Sequence, residues 1–246
     1  MGESIVIFYI ALFVIAFLYA SVGHGGASGY LALMAIWGVA PDVMKPSALL
    51  LNLFVASTSF VQFYRGGHFR MNLFWPLAIA SVPMAFVGGL MHIDAGLYKK
   101  VLGALLVIAV ARLYFFGNIR NMELRHPQIG LSLLIGAGIG FLSGLIGIGG
   151  GIILSPVLLL LKWSDMKQTA AISALFIFVN SISGLLGQLY KGINFSSDML
   201  MYVIVAFAGG LLGAYIGSLK LKAASLRNVL AAVLVVAAYK LLFTTA

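Results

Sequence analysis

Two clusters of glycine interrupt the longest charge-free stretches of this chain. Residues 145–156 read LIGIGGGIILSP, and residues 22–29 read VGHGGASG. Adjacent glycines break a helix, because each costs about 1 kcal/mol relative to alanine in a helix interior. Residues 4–41 and 127–161 contain no Asp, Glu, Lys or Arg, whereas one membrane-spanning helix needs only about 20 apolar residues. Each stretch is therefore predicted to hold two helices with the turn at the glycines.

The composition is typical of a membrane protein. The chain is 62% hydrophobic and 9% charged, with a mean hydropathy of +1.10, whereas soluble domains are about half apolar and a quarter charged. The net charge of +9 comes from Lys and Arg scattered between apolar runs, which is typical of membrane-protein loops and does not predict a nucleic-acid partner. Cysteine is absent, which excludes disulfides, thiol catalysis and cysteine-ligated metals. We expect a single transmembrane domain, residues 1–246, in a lipid bilayer.

The apolar runs predict an all-α polytopic fold. Two five-segment repeats span residues 5–116 and 128–243, and residues 117–127 form the loop between them. The predicted segments are 5–22, 27–40, 46–64, 72–91 and 96–116, then 128–146, 151–162, 168–190, 199–218 and 226–243. At a rise of about 1.5 Å per residue, the second segment of each repeat is shorter than the bilayer is thick. Its glycine end is therefore expected to stop inside the membrane.

The two halves also match in sequence. FLYASVGHGGASGYL aligns with FLSGLIGIGGGIILS, QFYRGGHF with QLYKGINF, and VLGALLVIAVARLYF with VLAAVLVVAAYKLLF. Similarity that recurs at a nearly fixed spacing indicates an internal duplication.

The positions of lysine and arginine predict how the repeats are oriented. If every segment crosses the membrane, the repeats are inverted and the two sides carry ten and five Lys and Arg residues. Arg70, Arg125 and Lys162 then lie on one side, and Lys45 and Lys191 on the other. If the short segments re-enter instead, the repeats are parallel and the split is eight to seven. Cytoplasmic loops carry the excess of positive charge, so the larger bias favours inverted repeats with both termini outside the cytoplasm.

The glycine breaks predict where a ligand would bind. Irregular backbone in the hydrocarbon region survives only if it is packed in protein or lines a water-filled cavity, and inverted repeats with broken helices place substrate where the breaks meet. The helices that begin at Ala27 and Gly151 direct free N–H groups and positive dipole ends towards that place, which suits a small anion. The candidate residues are Gly23, His24, Gly25, Gly26, Ala27, Gly147, Gly149, Gly150 and Gly151. The alternative is that the breaks are purely structural turns.

Polar side chains within the segments extend this candidate site. Asn52 and Asn180 lie in the third segment of each repeat, where they could donate hydrogen bonds to an oxyanion or join two helices. Ser28 and Ser173 could add hydroxyl donors, although such serines usually bond their own backbone. His24 is an ionisable residue predicted well inside the membrane, and it could carry a coupling proton, pair with the anion, or stay neutral against a carbonyl.

Other features are assigned to simpler roles. Lys45 and Lys167 are expected at the surface, where either could collect anions. The Gly-x-x-x-Gly patterns of residues 136–144 and 209–217 indicate helix packing.

No predicted segment contains Asp or Glu, which argues against a carboxylate proton relay and against a carboxylate-based cation site. Neither a metal nor a cofactor is expected.

The motifs of the second half resemble those of a known family. LIGIGGGIILSP, followed by QTAAISALFIFVNSISG and YKGINF, is similar to the sulfite exporter TauE/SafE family of membrane transporters. The most specific element is the pattern filled by Gly147, Gly149, Gly150, Gly151 and Pro156. In the first half, His24 occupies the variable position of the Gly-x-Gly-Gly-Gly pattern. Ala27 replaces the last glycine of that pattern, and the matching proline is missing. The resemblance implies a bacterial-type inner-membrane carrier of sulfite or a related small sulfur-containing or organic anion.

The predicted function is therefore secondary transport of such an anion by alternating access. An anion channel is the main alternative, because channels also use helix ends and polar rings. An intramembrane serine protease is disfavoured, since no histidine follows Ser143 in the chain to act as its base; the protein is not expected to be an enzyme. The identity of the anion, the direction of flux, the coupling ion and the oligomeric state stay open at this stage.

Overall fold

The computed structural model describes residues 2–21, 26–115, 124–193, 197–217, 234–236 and 238–243. All regular structure in these ranges is helical, which confirms the all-α prediction. The helices are α1 Gly2–Ser21, α2 Ala27–Ile36, α3 Pro41–Arg65, α4 Met71–Leu90, α5 Ala95–Phe115, α6 Ile129–Ile146, α7 Gly151–Leu160, α8 Met166–Tyr190 and α9 Ser197–Gly217. Residues 234–236 and 238–243 are also helical and fall in the tenth predicted segment.

Several helices are long and apolar enough to cross a membrane. Among the described residues these are Pro41–Arg65, Met71–Leu90, Ile129–Ile146 and Lys167–Tyr190. Shorter apolar helices cover Ile5–Ala20, Ala27–Ile36, Gly151–Leu160, Met199–Gly213 and Leu234–Phe243. Large apolar side chains point outwards, as Ile129 and Leu134 do with exposures of 68% and 71%, which suits contact with lipid. The protein is a multi-pass membrane protein.

The short helix α2 ends earlier than the predicted segment 27–40. Gly38 follows its C-cap with a φ of +73°, its amide donates to the Ala35 carbonyl at 3.1 Å, and the Val39 amide donates to the Met34 carbonyl at 2.9 Å. These two bonds form a Schellman motif, which glycine favours because the left-handed conformation costs it little. The apolar pattern continued past Ile36, but this turn stops the helix.

The short helix α7 ends in the same way, before the end of the predicted segment 151–162. The Lys162 amide donates to the Leu159 carbonyl at 3.1 Å and the Trp163 amide to the Leu158 carbonyl at 3.0 Å. Here Lys162, with a φ of 58°, occupies the left-handed position that Gly38 fills in the first repeat. With 10 residues each, α2 and α7 are about 15 Å long, half the thickness of the hydrocarbon core.

Helix α3 begins at Pro41, five residues before the predicted start at residue 46. Proline is well suited to the first helical position, since it needs no backbone donor there, and Asp42 in the first turn complements the helix dipole. Pro46 lies inside the helix and does not end it. Lys45, predicted to be a surface residue, therefore lies in α3, and its side chain is buried.

The helix contacts form a pattern that the predicted duplication would produce. Helix α4 packs on α6 and α8, α1 packs on α9, and α3 packs on α8 and α9. Exchanging α1 with α6, α3 with α8 and α4 with α9 converts this set of contacts into itself. The boundaries of the repeats stay a prediction, and the contacts are those expected of two related halves packed face to face.

The Gly-x-x-x-Gly patterns pack helix on helix, as predicted. Gly136, Gly140 and Gly144 of α6 lie directly against the backbone of α4, at Leu77, Ser81 and Ala85. Gly209 and Gly213 of α9 lie in the same way against the backbone of α1 at Phe13 and Phe17. A side chain at any of these glycines would push the two helices apart.

Contacts between loops bear on the orientation of the repeats. The Arg125 amide donates to the Lys162 carbonyl at 2.7 Å, and the Arg70 guanidinium donates to the Trp163 carbonyl at 3.3 Å. At the opposite end of the helices, Lys191 Nζ lies 3.3 Å from a ring nitrogen of His92. The crossing arrangement puts the members of each pair on the same side, whereas the re-entrant arrangement puts them on opposite sides. These contacts agree with the crossing arrangement, and the inverted repeats and their orientation in the membrane stay predictions.

The ends of α2 and α7 provide a matched pair of stability tests. Lys162→Gly should stabilise the fold by about 1 kcal/mol, because it removes a left-handed conformation that costs a non-glycine residue 1–2 kcal/mol. Gly38→Ala should destabilise it by a similar amount, since open space surrounds the new methyl group and only the backbone is strained. Thermal unfolding of the purified protein in detergent measures both. Shifts of the same sign in the two variants would contradict this account of the helix ends.

Candidate functional site

The break between α6 and α7 consists of three glycines in the left-handed conformation. Gly147, Gly149 and Gly150 have φ angles of 88°, 71° and 81°. The Gly147 amide still donates to the Ser143 carbonyl at 2.8 Å and closes the last turn of α6. The chain then turns through Ile148 before α7 begins. Only glycine adopts such φ values readily, so the backbone path itself requires the three glycines.

The break presents a row of buried backbone amides that have no partner among the described residues. Helix α7 makes its first backbone bonds from the amides of Ile153 and Leu154, both to the Gly150 carbonyl. The amides of residues 148–152 donate to no backbone or side-chain acceptor in the described ranges. Residues 147–152 are all buried, and buried amides are paired in the great majority of cases. Successive amides at left-handed residues and at a helix N-terminus form concave sites for anions, so this break has the chemistry to hold one.

Side chains of α3 and α8 pack tightly on the break. A methyl group at Gly149 would lie 2.7 Å from Asn52 Nδ2, and one at Gly150 would lie 2.8 Å from the Phe176 ring. Gly151, whose φ is not left-handed, lies against Ile177 of α8. The glycines are therefore required by space as well as by conformation, and α3 and α8 hold the row of amides in place.

The structure buries both candidate asparagines completely, and each leaves one polar atom unpaired. Asn52 Nδ2 donates to Ser181 Oγ at 3.3 Å, and Asn180 Nδ2 donates to the Phe176 carbonyl one turn earlier at 2.8 Å. Neither Oδ1 atom has a partner in the described part of the chain. Rotating the Asn52 carboxamide by half a turn would place Oδ1 beside the Ser181 hydroxyl and move the NH₂ group to the unpaired position. Asn52 therefore contacts the break directly at Gly149. Asn180 bonds the backbone of Phe176, and the Phe176 ring in turn packs on Gly150.

The two candidate serines bond to other side chains. Ser28 Oγ lies 2.6 Å from the Tyr19 hydroxyl of α1. Ser173 Oγ lies 2.9 Å from Ser155 Oγ, and Ser155 donates to the Gly151 carbonyl at 2.8 Å. Because the Ser155 proton is used in that bond, Ser173 is the donor to Ser155. The hydroxyls of Ser155 and Ser173 thus join the start of α7 to α8.

The first break is described only at its end. Gly26 is the N-cap of α2, with a φ of −80°, and its carbonyl accepts from the Tyr30 amide at 3.0 Å. Ala27 is the first helical residue. Gly26 lies against the Tyr30 ring, so space and not conformation explains this glycine. Gly23, His24 and Gly25 lie outside the described residues.

Two further residues at the second break were not predicted from the sequence. Lys45 is only 9% exposed, its backbone lies against Gly147, and its Nζ atom is 5.0 Å from the centroid of the Tyr98 ring. The Tyr98 hydroxyl donates to the Ile146 carbonyl at 3.1 Å. The sequence signal for Lys45 was Pro41 followed by an acidic residue, which marks a helix start four residues before the lysine. Tyr98 had no comparable signal.

The break can be tested against a control glycine in α6. Gly149→Ala should destabilise the fold by several kcal/mol, because it combines a strained φ with a collision against Asn52 and Ile177. Gly138→Ala should leave stability unchanged or raise it by up to about 1 kcal/mol, since Gly138 is helical and has open space around it. Thermal unfolding in detergent compares the two variants. Equal effects would contradict the close packing described for the break.

Known proteins give an independent view of the chain. Residues 8–241 match the family described as Sulfite exporter TauE/SafE. A probable membrane transporter protein of Sinorhizobium fredii is 38% identical over 95% of this chain and 96% of its own length. A probable membrane transporter protein of Methanocaldococcus jannaschii is 30% identical over 72% of this chain and 69% of its own. No solved structure matches the chain significantly. With its helical membrane fold and this match over nearly its whole length, the chain belongs to the sulfite exporter TauE/SafE family of membrane transporters.

Proposed function

We propose that this protein exports sulfite, or a related small sulfur-containing or organic anion, across the cytoplasmic membrane by alternating access. The observation that supports this most is the row of buried amides at residues 148–152, which have no partner among the described residues. Unpaired amides in a membrane protein cost several kcal/mol each unless water or a ligand satisfies them. An oxyanion can accept several of these hydrogen bonds at once and still leave, because no full positive charge is needed among the amides themselves.

The charges of the protein interior also suit an anion. The buried polar residues in the described ranges include no Asp or Glu, and the charged residue among them is a lysine. A carboxylate in the site would repel an anion and favour a cation instead. The membrane potential, negative inside the cell, drives a negatively charged solute outwards, so export needs no carboxylate proton relay.

Alternating access, in which the site opens to one side of the membrane and then to the other, is the transport motion expected of a protein built from two related halves. In transporters built from repeats, one repeat or bundle moves against the other around a central site. Helix α4 of one repeat packs on α6 of the other, and α1 packs on α9 in the same way, so the bodies that move are two bundles that each combine helices of both repeats. The glycine-to-backbone packing of these helix pairs makes them close and rigid.

A flux assay tests the proposal directly. Purified protein in proteoliposomes should take up labelled sulfite with saturable kinetics and should exchange label against unlabelled anion on the opposite side. Gly150→Val should abolish flux, because the side chain strains a φ of 81° and collides with Phe176 at the row of amides. Gly138→Val, on the exposed face of α6, should retain flux. Both variants are first checked for monodispersity in detergent, so that misfolding is not read as lost transport.

The same assay separates the rival functions. Unitary currents across a planar bilayer, without saturation, would identify an anion channel and contradict the carrier. Thermal unfolding across sulfite, sulfate, thiosulfate, sulfoacetate and small carboxylates identifies the preferred ligand, since a ligand that binds only the folded state raises its stability. A protein that none of these anions stabilises, and that moves none of them, would refute anion transport.

A further inference from the structure

Lys45 is a charged side chain buried at the glycine break. It lies in the second turn of α3 and is 9% exposed, and it is the charged member of the buried polar residues in the described ranges. Its backbone packs on Gly147, the residue that ends α6. The backbone of α3 therefore contacts the start of the break at Lys45, from the other repeat.

The surroundings of Lys45 leave its charge only partly compensated. No carboxylate lies within ion-pair distance in the described ranges; Asp42, one turn earlier in α3, attracts the ammonium from further away, and Lys191 repels it. The near partner of the ammonium is the face of the Tyr98 ring, at 5.0 Å. An aromatic face attracts a cation but does not replace the hydration that a buried ion loses. A buried cation of this kind is stabilised by an anion that enters from solution.

Tyr98 also prepares the site for negative charge. The carbonyl groups at the end of α6 form the negative end of that helix and would repel an anion. The Tyr98 hydroxyl donates to one of them, the Ile146 carbonyl, at 3.1 Å. The same tyrosine thus contacts the cation with its ring and covers a carbonyl with its hydroxyl.

A second, exposed lysine acts on Lys45 from the surface. Lys191, at the C-terminal end of α8, is close enough to act on Lys45 electrostatically, and it is exposed. Its ammonium lies 3.3 Å from a ring nitrogen of His92, in the loop between α4 and α5. This exposed pair raises the local concentration of anions at the membrane surface nearest to Lys45.

We propose that Lys45 is the ionic partner of the transported anion, which it holds against the amides of the α6–α7 break. The proposal rests on the proposed function, since it assigns the charged contact within that site. It requires a substrate with at least one full negative charge, and it explains why a transporter keeps a lysine buried beside an aromatic ring.

The test compares Lys45→Met, Lys45→Arg and the control Lys167→Met. Methionine keeps the length of the side chain without its charge, arginine keeps the charge, and Lys167 is an exposed lysine in the first turn of α8. Apparent affinity for sulfite is measured by anion-dependent thermal stabilisation and by the KM of flux into proteoliposomes. Lys45→Met should weaken the affinity tenfold or more, while Lys45→Arg keeps a measurable part of it and Lys167→Met keeps all of it.

The stability of the anion-free protein separates a binding role from a structural one. Removing an uncompensated buried charge should leave the unfolding temperature of anion-free Lys45→Met equal to that of the wild type or higher. A large drop in that temperature, not rescued in Lys45→Arg, would show that Lys45 only supports the fold and would overturn the proposal. Wild-type affinity in Lys45→Met would overturn it as well. Failure of the wild-type protein itself to bind or move any anion would instead refute the proposed function, and this proposal with it.

Discussion

The architecture of this protein depends on one constraint, the need of backbone amides for a partner where water is scarce. Residues 148–152 expose five successive buried amides that nothing in the described ranges accepts from. A helix running through this region would have paired them at no cost. The three glycines that prevent this combine left-handed φ angles with close packing, so a side chain at any of them would be strained and crowded. The packing therefore requires the break, and its amides lack a hydrogen-bond acceptor among the described residues.

The rest of the fold holds this break in position. The small residues of α6 and α9 allow backbone-to-backbone packing on α4 and α1, which gives two close helix pairs. Helices α3 and α8 contact each other between those pairs and deliver Asn52, Lys45 and Phe176 to the glycines. Buried hydroxyls of Ser155 and Ser173 brace the first turn of α7. Several buried polar groups therefore lie beside the irregular backbone, and the exposed apolar side chains suit contact with lipid.

The sequence predicted the helical membrane fold and the place of the second break, because both depend on strong local signals. Long uncharged runs require spanning helices, and clustered glycines require a turn. It misplaced the start of α3, because the predicted segment was the uncharged run after Lys45, although Pro41 already marks the helix start. That shift hid Lys45, and no pattern along the chain could bring Tyr98 next to it, because their contact joins α3 to α5 across the fold. The extents of α2 and α7 were overestimated for a related reason: the Schellman turns at Gly38 and Lys162 interrupt runs that stay apolar.

The central claim is that the amides of the α6–α7 break bind the transported anion. Selenite is a close analogue of sulfite whose selenium atom scatters X-rays anomalously, so a crystal of the protein grown with selenite reports the position of the anion directly. The account predicts one anomalous peak within hydrogen-bonding reach of the amides of Gly149, Gly150 and Gly151. Selenite bound elsewhere in the membrane region, with these amides closed off by protein side chains, would contradict it.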